Sequence, residues 1–188
     1  MLLHVCCANC LFDVLPALQE EGLLPVLFFY NPNIHPLVEY RRRRKSFLLA
    51  AERLSLPVLG KPAASVDPRL FLERVEWREE RPRRCAGCYY WRLREAAREA
   101  ARAGLGGFLS TLQVSGEQAF EALVEAGRRA ARESGVDFLE MDLRHRHGWG
   151  RPPAGFHPYR QSYCGCLVSE YERYAPTRRH LVRGEGAR

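Results

Sequence analysis

The chain has 188 residues, 46% of them hydrophobic, which suits one globular domain with a single core. A formal charge of +7 favours a polyanionic partner, because Lys and Arg contacts to phosphate release counterions. No apolar run approaches a membrane span and the N-terminal segment lacks the parts of a secretory signal, so a soluble cytoplasmic protein with no membrane partner is expected.

In chain order, Leu2 to Val5 reads as a short buried strand that runs into Cys6-Cys7-Ala8-Asn9-Cys10, and Leu11 to Glu21 has helical apolar spacing ended by Gly22. Pro25 to Tyr30 is a second strand, closed by the turn Asn31-Pro32-Asn33. A helix from Pro36 to Leu54 carries the basic run Arg41 to Lys45, and Leu56 to Leu59 offers a third strand. Beyond Cys85-Ala86-Gly87-Cys88, the stretch Arg92 to Ala103 is rich in good helix formers and stops at Gly104. Phe108 to Val114 reads as a strand, Glu117 to Ser134 as a helix and Val136 to Leu143 as another strand. Composition shifts to His, Arg, Gly and Pro over Arg144 to Tyr159, a flexible segment that leads to Cys164-Gly165-Cys166 and is a candidate substrate flap. This alternation predicts a Rossmann-like three-layer α/β domain over 1–188, with a mainly parallel sheet, helices on both faces and ligands beyond the carboxyl ends of the strands.

All seven cysteines fall in three tight groups, whereas packing cysteines would be scattered singly. In a reducing cytosol such clustering points to metal binding or redox catalysis rather than a disulfide framework. The two C-x-x-C pairs, Cys7/Cys10 and Cys85/Cys88, complete a four-thiolate set compatible with zinc or an iron–sulfur cluster. Because neighbouring side chains on a strand point to opposite faces, Cys6 need not join Cys7. It is free to form a three-thiolate site with Cys164 and Cys166, open at one position. Cys164 and Cys166 as a redox disulfide, or an exchange of roles between Cys6 and Cys7, are the alternatives. The extra three thiols favour iron–sulfur over a closed zinc site, and a thioredoxin-like dithiol would leave five cysteines unexplained. No phosphate-binding glycine loop follows the first strand, which leaves nucleotide-triphosphate chemistry, and with it a thiol-based tRNA sulfurtransferase, without a means of activation.

Five segments carry a family resemblance: His4-Val5-Cys6-Cys7-Ala8-Asn9-Cys10, Phe29-Tyr30-Asn31-Pro32-Asn33-Ile34-His35-Pro36, Arg84-Cys85-Ala86-Gly87-Cys88-Tyr89, Thr111-Leu112-Gln113-Val114-Ser115 and Tyr159-Arg160-Gln161-Ser162-Tyr163-Cys164-Gly165-Cys166. Together they resemble the cobalamin-independent epoxyqueuosine reductases, in order and over most of the chain. The resemblance implies the last step of queuosine synthesis: two-electron deoxygenation of an epoxide on the modified wobble base of tRNA, giving an alkene and water. It also implies a [4Fe–4S] cluster beside a second, mononuclear iron, and an external electron donor. The family usually has Pro at Asn9 and a Lys soon after the Thr-Leu motif, where this chain has Gly116-Glu117-Gln118.

On this reading Cys7, Cys10, Cys85 and Cys88 hold the cluster, while Cys6, Cys164 and Cys166 hold the second iron. Tyr163, His35 and Asp13 are the candidate proton donors because each flanks a motif that should converge on the site. Arg41, Arg83 and Arg84 are the preferred RNA contacts, with Tyr40 and the Arg144-to-Trp149 stretch adding charge and stacking surface. A non-catalytic zinc protein that binds RNA through its arginines is the rival.

Overall fold

A computed structural model of the chain describes residues 1–60, 63 and 65–176, so the C-terminal end of the expected 1–188 domain lies outside the described residues. Its centre is a four-stranded parallel sheet, β1 (Leu2–His4), β2 (Val26–Phe28), β3 (Gly107–Ser110) and β4 (Asp137–Phe138), in the order β2-β1-β3-β4. The expected third strand at Leu56 to Leu59 is reduced to a single parallel bridge, Leu27 to Val58, outside β2. Strand register places Leu3 opposite both Leu27 and Leu109.

Period-two alternation then divides the core between the two faces. Leu3, Leu27 and Leu109 pack against α1 (Ala8–Glu20) and α2 (Leu37–Arg53) through Leu11, Val14, Leu18, Phe47 and Ala50. Leu2 and Phe108 face α4 (Arg83–Arg102) and α5 (Phe120–Ser134) through Leu93, Ala97, Leu123 and Ala130. The expected Rossmann-like three-layer arrangement, with helices on both faces, is the fold observed.

Several boundaries differ from the sequence expectation. The helix expected from Arg92 begins at Arg83, because burial of Tyr89 and Trp91 outweighs the weak intrinsic propensity of a Cys-Ala-Gly-Cys-Tyr-Tyr stretch. Two short helices, α3 (Pro68–Arg74) and α6 (Leu167–Tyr174), fall where no helix was expected. The strand expected to Val114 ends at Ser110, whose hydroxyl accepts the Leu112 N–H (3.2 Å) and turns the chain into a 3₁₀ turn over Thr111–Val114. Val136 to Leu143 forms strand only at Asp137 and Phe138.

Pro16 stands inside α1 and has no N–H to offer the Phe12 carbonyl one turn earlier. At that point Gly150 packs on the helix so closely that a Cβ would lie 2.3 Å from the Phe12 carbonyl carbon. The segment 144–159 thus crosses α1 as a strap. No helix among the described residues is long and apolar enough to cross a membrane.

Candidate metal centre

In a parallel sheet all carboxyl ends lie on one edge, and the chain leaves β1 for β2 on one side and reaches β3 on the other, so a crevice opens between β1 and β3. Cys6 and Thr111 meet there. The Cys6 N–H donates to Thr111 Oγ1 (3.0 Å), and the Thr111 hydroxyl donates back to Cys6 Sγ (3.2 Å). Below them His4 is fully buried, with Nδ1 2.8 Å from Ser110 Oγ and Nε2 3.1 Å from the Tyr30 carbonyl. A carbonyl only accepts, so Nε2 carries the proton and Nδ1 takes the Ser110 hydroxyl. Burial, aided by the nearby Arg92 charge, lowers the His4 pKa to about 3, which keeps the ring neutral.

β1 ends at His4, so the strand alternation that would separate Cys6 from Cys7 no longer applies, and the Sγ atoms of Cys6, Cys7 and Cys10 all lie within 4.8 Å of one another. Cys7 is the N-cap of α1: its sulfur accepts the Cys10 N–H (3.2 Å) and also an N–H from Gln161 Nε2 (3.0 Å). Hydrogen bonds from the Cys10 and Cys7 thiols hold the Cys6 pKa well below its ordinary value, against burial and with help from Arg92 and Thr111. Burial raises Cys7, and the hydrogen bond with Cys6 raises Cys10. The three neighbouring sulfurs are a donor set that a soft cation would complete. This group can hold a metal.

Cys85 and Cys88 lie in the first two turns of α4 rather than ahead of it. Cys88 packs with Cys166, Phe71, Val75 and Trp91, and burial pushes its thiol up to about 12, with the charges of Cys164, Cys166 and Cys85 adding to the rise. Although burial opposes its charge, Arg81 is raised by its hydrogen bond and charge interaction with Cys85. The Cys166 sulfur caps α6, accepting the Ser169 N–H (3.3 Å). All seven cysteines are free thiols. A cavity of about 420 Å³, lined by Cys6, Cys10, Cys164, Gln118, Gln161 and Tyr163 among others, joins the first and last groups.

Arg43, read in the sequence as one member of a basic run, is buried and clamps the last group in place. Its Nε donates to Glu39 (2.6 Å), Nη1 to the Cys164 carbonyl (2.9 Å) and Nη2 to the Tyr163 carbonyl (2.9 Å). Glu39 also accepts the Tyr159 hydroxyl (2.5 Å), and the His35 N–H donates to the Gly165 carbonyl (2.7 Å). Gly165 has φ +129°, and a Cβ there would come within 3.1 Å of Arg43 Nη1 and Ile34, so glycine is required by both conformation and space. A signal existed: Tyr40, Arg43, Phe47, Ala50 and Ala51 recur at helical spacing on one buried stripe. Thr111 and Gln161, which also touch the cysteines, stand in the sequence only as members of motifs, and Gln118 only in the stretch where the family usually has a Lys.

The other expected site residues are dispersed. Tyr163 lines the cavity, but its hydroxyl donates to the His35 carbonyl (2.5 Å), and burial raises its pKa. The His35 ring lies edge-on to Phe71 with neither nitrogen hydrogen-bonded among the described residues, and burial lowers its pKa. Asp13 lines a different cavity, its two oxygens accepting the backbone N–H groups of Gly148 (3.1 Å) and Gly150 (2.8 Å). Arg41 and Arg83 are exposed. Arg84 is buried and committed to Glu172 (2.7 Å) and the Glu79 carbonyl (3.0 Å), which ties α6 to α4.

Comparison with known proteins agrees with this architecture. The family model described as epoxyqueuosine reductase QueH matches residues 1–172. The epoxyqueuosine reductase QueH of Dehalococcoides mccartyi is 33% identical over 177 residues, which cover 93% of this chain and 94% of that protein. Those of Haemophilus influenzae (33% identical, 90% of this chain and 71% of that protein) and Thermotoga maritima (31%, 92% and 91%) align over nearly the same span. With the family's motifs carried on the expected fold, the chain belongs to the epoxyqueuosine reductase QueH family.

Proposed function

We propose that this chain is an epoxyqueuosine reductase, an oxidoreductase that removes the epoxide oxygen of epoxyqueuosine in tRNA to complete queuosine, and that it works in the cytoplasm as one domain. The observation that carries the reading is the convergence of Cys6, Cys7 and Cys10 at the carboxyl edge of the sheet, opening into a cavity shared with Cys164. The balance of the reaction is epoxide plus two electrons and two protons to alkene and water, so the site needs an electron source, a polariser for the oxygen and a proton donor.

In this proposal Cys7, Cys10, Cys85 and Cys88 hold a [4Fe–4S] cluster, and Cys6, Cys164 and Cys166 hold a second iron. Free, clustered thiols with hydrogen-bond donors already aimed at sulfur fit such groups. When bound, they supply electrons received from an external donor, together with a Lewis acid. Cys6, Cys10 and Cys164 line the 420 Å³ cavity whereas Cys7, Cys85, Cys88 and Cys166 do not; two of the three thiols given to the open iron face it, against one of the four given to the cluster, which supports this placement. A second partition, Cys6/Cys7/Cys10 against the other four, draws support from the close approach of the first three sulfurs.

Iron counting separates the two partitions. Under the first, Cys10→Ser loses the cluster and Cys166→Ser only one iron; under the second these outcomes are exchanged. Colourless protein that binds zinc instead would sink both.

The chain's own residues orient and protonate. Tyr163, already on the cavity wall and held protonated by its raised pKa, is the preferred proton donor. His35, whose backbone N–H binds the Gly165 carbonyl within the last cysteine group, and Asp13 are the others. Gln118 and Gln161 present carboxamides to the same cavity, and the Gln161 Oε1 is buried with no hydrogen bond among the described residues. For tRNA, Arg41 and Arg83 are the phosphate contacts; Arg84 acts through its Glu172 pair, placing α6.

A further inference from the structure

Beside the cysteine cavity lies a second one of about 640 Å³, roofed by the strap and floored by the start of α1. His147 and Gln161 line both cavities and form the partition between them. The strap is fixed to the body at several points: Arg146 pairs with Glu20, Gly148 and Gly150 bind Asp13, Asn9 Nδ2 donates to the Tyr159 carbonyl (2.7 Å) and Tyr159 N–H donates to Ser46 Oγ (3.0 Å). Asn9 is the position where the family usually has Pro, which has no side-chain donor for this tie.

The chemistry of the wall is aromatic and cationic. Phe156 meets Phe12 edge-to-face (centroids 6.0 Å) and His147 and His157 line the space with Arg160. Asp13, the one carboxylate of the wall, has both oxygens engaged by backbone N–H groups. Arg144, Arg146 and Arg151 are spent on Asp142, Glu20 and strap carbonyls. Arg160 is exposed and has no hydrogen bond or ion pair among the described residues. An unpaired guanidinium beside ring surfaces is the composition that takes an unpaired nucleotide, base on the rings and phosphodiester on the cation. The volume lies within the usual range for ligand sites.

We propose that this second cavity receives the nucleotide adjoining the reacting one in the anticodon loop, with its phosphodiester on Arg160 and its base against Phe156 and His157. The assignment rests on the tRNA reading above, because a base in the cysteine cavity brings its covalent neighbour to the partition formed by His147 and Gln161.

The test is a cycle across the interface with anaerobically reconstituted protein and an anticodon stem-loop RNA. Each phosphate flanking the wobble nucleotide is replaced in turn by a neutral methylphosphonate, and binding is measured for parent and Arg160→Ala. One lost contact to a single strand should lower the salt slope by about 0.7 and weaken binding about fivefold near 0.1 M salt. At one flanking linkage the two losses should not add, since each removes the same contact. Additive losses at both linkages, or parent-like binding by Arg160→Ala, overturn the assignment. The activity is read separately with full-length tRNA. Coupling without queuosine formation keeps the cavity assignment and removes the reductase reading, whereas queuosine formation without coupling does the reverse.

Discussion

Replacing Arg43 tests how the last cysteine pair is held. Its side chain is 2% exposed and that of Glu39 is 7% exposed, so Arg43→Met would leave a buried carboxylate with the Tyr159 hydroxyl as its one side-chain partner among the described residues. Removing one member of a buried ion pair costs about 3–5 kcal/mol. The Tyr163 and Cys164 carbonyls lose charged donors as well. Arg43→Lys keeps the charge but not the fork, and should lose about 1.5–3 kcal/mol. The double variant Glu39→Gln/Arg43→Met removes the orphaned charge and should be more stable than Arg43→Met alone. Urea unfolding of the metal-free protein gives the stabilities, and iron per chain after anaerobic reconstitution gives the functional reading. Arg43→Lys should fold yet retain less iron, the deficit matching that of Cys166→Ser. If Arg43→Met stayed within about 0.5 kcal/mol of the parent and held full iron, the clamp would be refuted; a shift that small is typical of surface changes.

Three other outcomes follow from named contacts. Gly150→Ala drives a Cβ into the α1 backbone, 2.3 Å from the Phe12 carbonyl carbon, so it should destabilise by about 1–3 kcal/mol and speed protease cutting within 144–159; parent-like cutting would argue against the strap contact. Thr111→Val leaves the Cys6 N–H without its acceptor and should cost about 1–3 kcal/mol in urea unfolding, with Thr111→Ser restoring most of it. His4 titrates near 6.5 when unfolded and about 3 when folded, so the unfolded chain binds the extra proton between those values. Its contribution is complete above pH 6.5 and is lost as pH falls toward 3, at up to about 1.4 kcal/mol per pH unit. Unfolding at pH 7, 6 and 5 should show that slope, made shallower in His4→Asn; equal slopes would contradict a neutral buried His4.

The layered fold was legible because Pro25 to Tyr30 is a continuous apolar segment, and Leu2 to Val5 and the run from Phe108 are mostly apolar, of the kind that parallel strands buried on both faces require. What escaped was set by distant packing. α4 starts at Arg83 because Tyr89 and Trp91 are buried by the rest of the fold, and the strap is pinned by Asp13 and Asn9 from more than a hundred residues away. The same holds for Arg43: four arginines in a row look like a solvated face, and only the helical stripe through Tyr40 and Phe47 marks the third as buried. Spacing grouped the cysteines into three local sets, but it did not foresee that Cys6 turns toward Cys7 and Cys10, since that depends on β1 ending at His4.

The central claim is that these thiols hold iron for reduction of an epoxide in tRNA. Its most direct test is anaerobic incubation of the iron- and sulfide-reconstituted protein with a low-potential electron donor and epoxyqueuosine-containing tRNA, followed by digestion and nucleoside mass analysis. Conversion to queuosine, with loss of one oxygen atom per two electrons consumed and its abolition in Cys85→Ala, is the predicted result. Reconstituted protein that carries full iron and binds the tRNA yet leaves the epoxide intact would contradict the account.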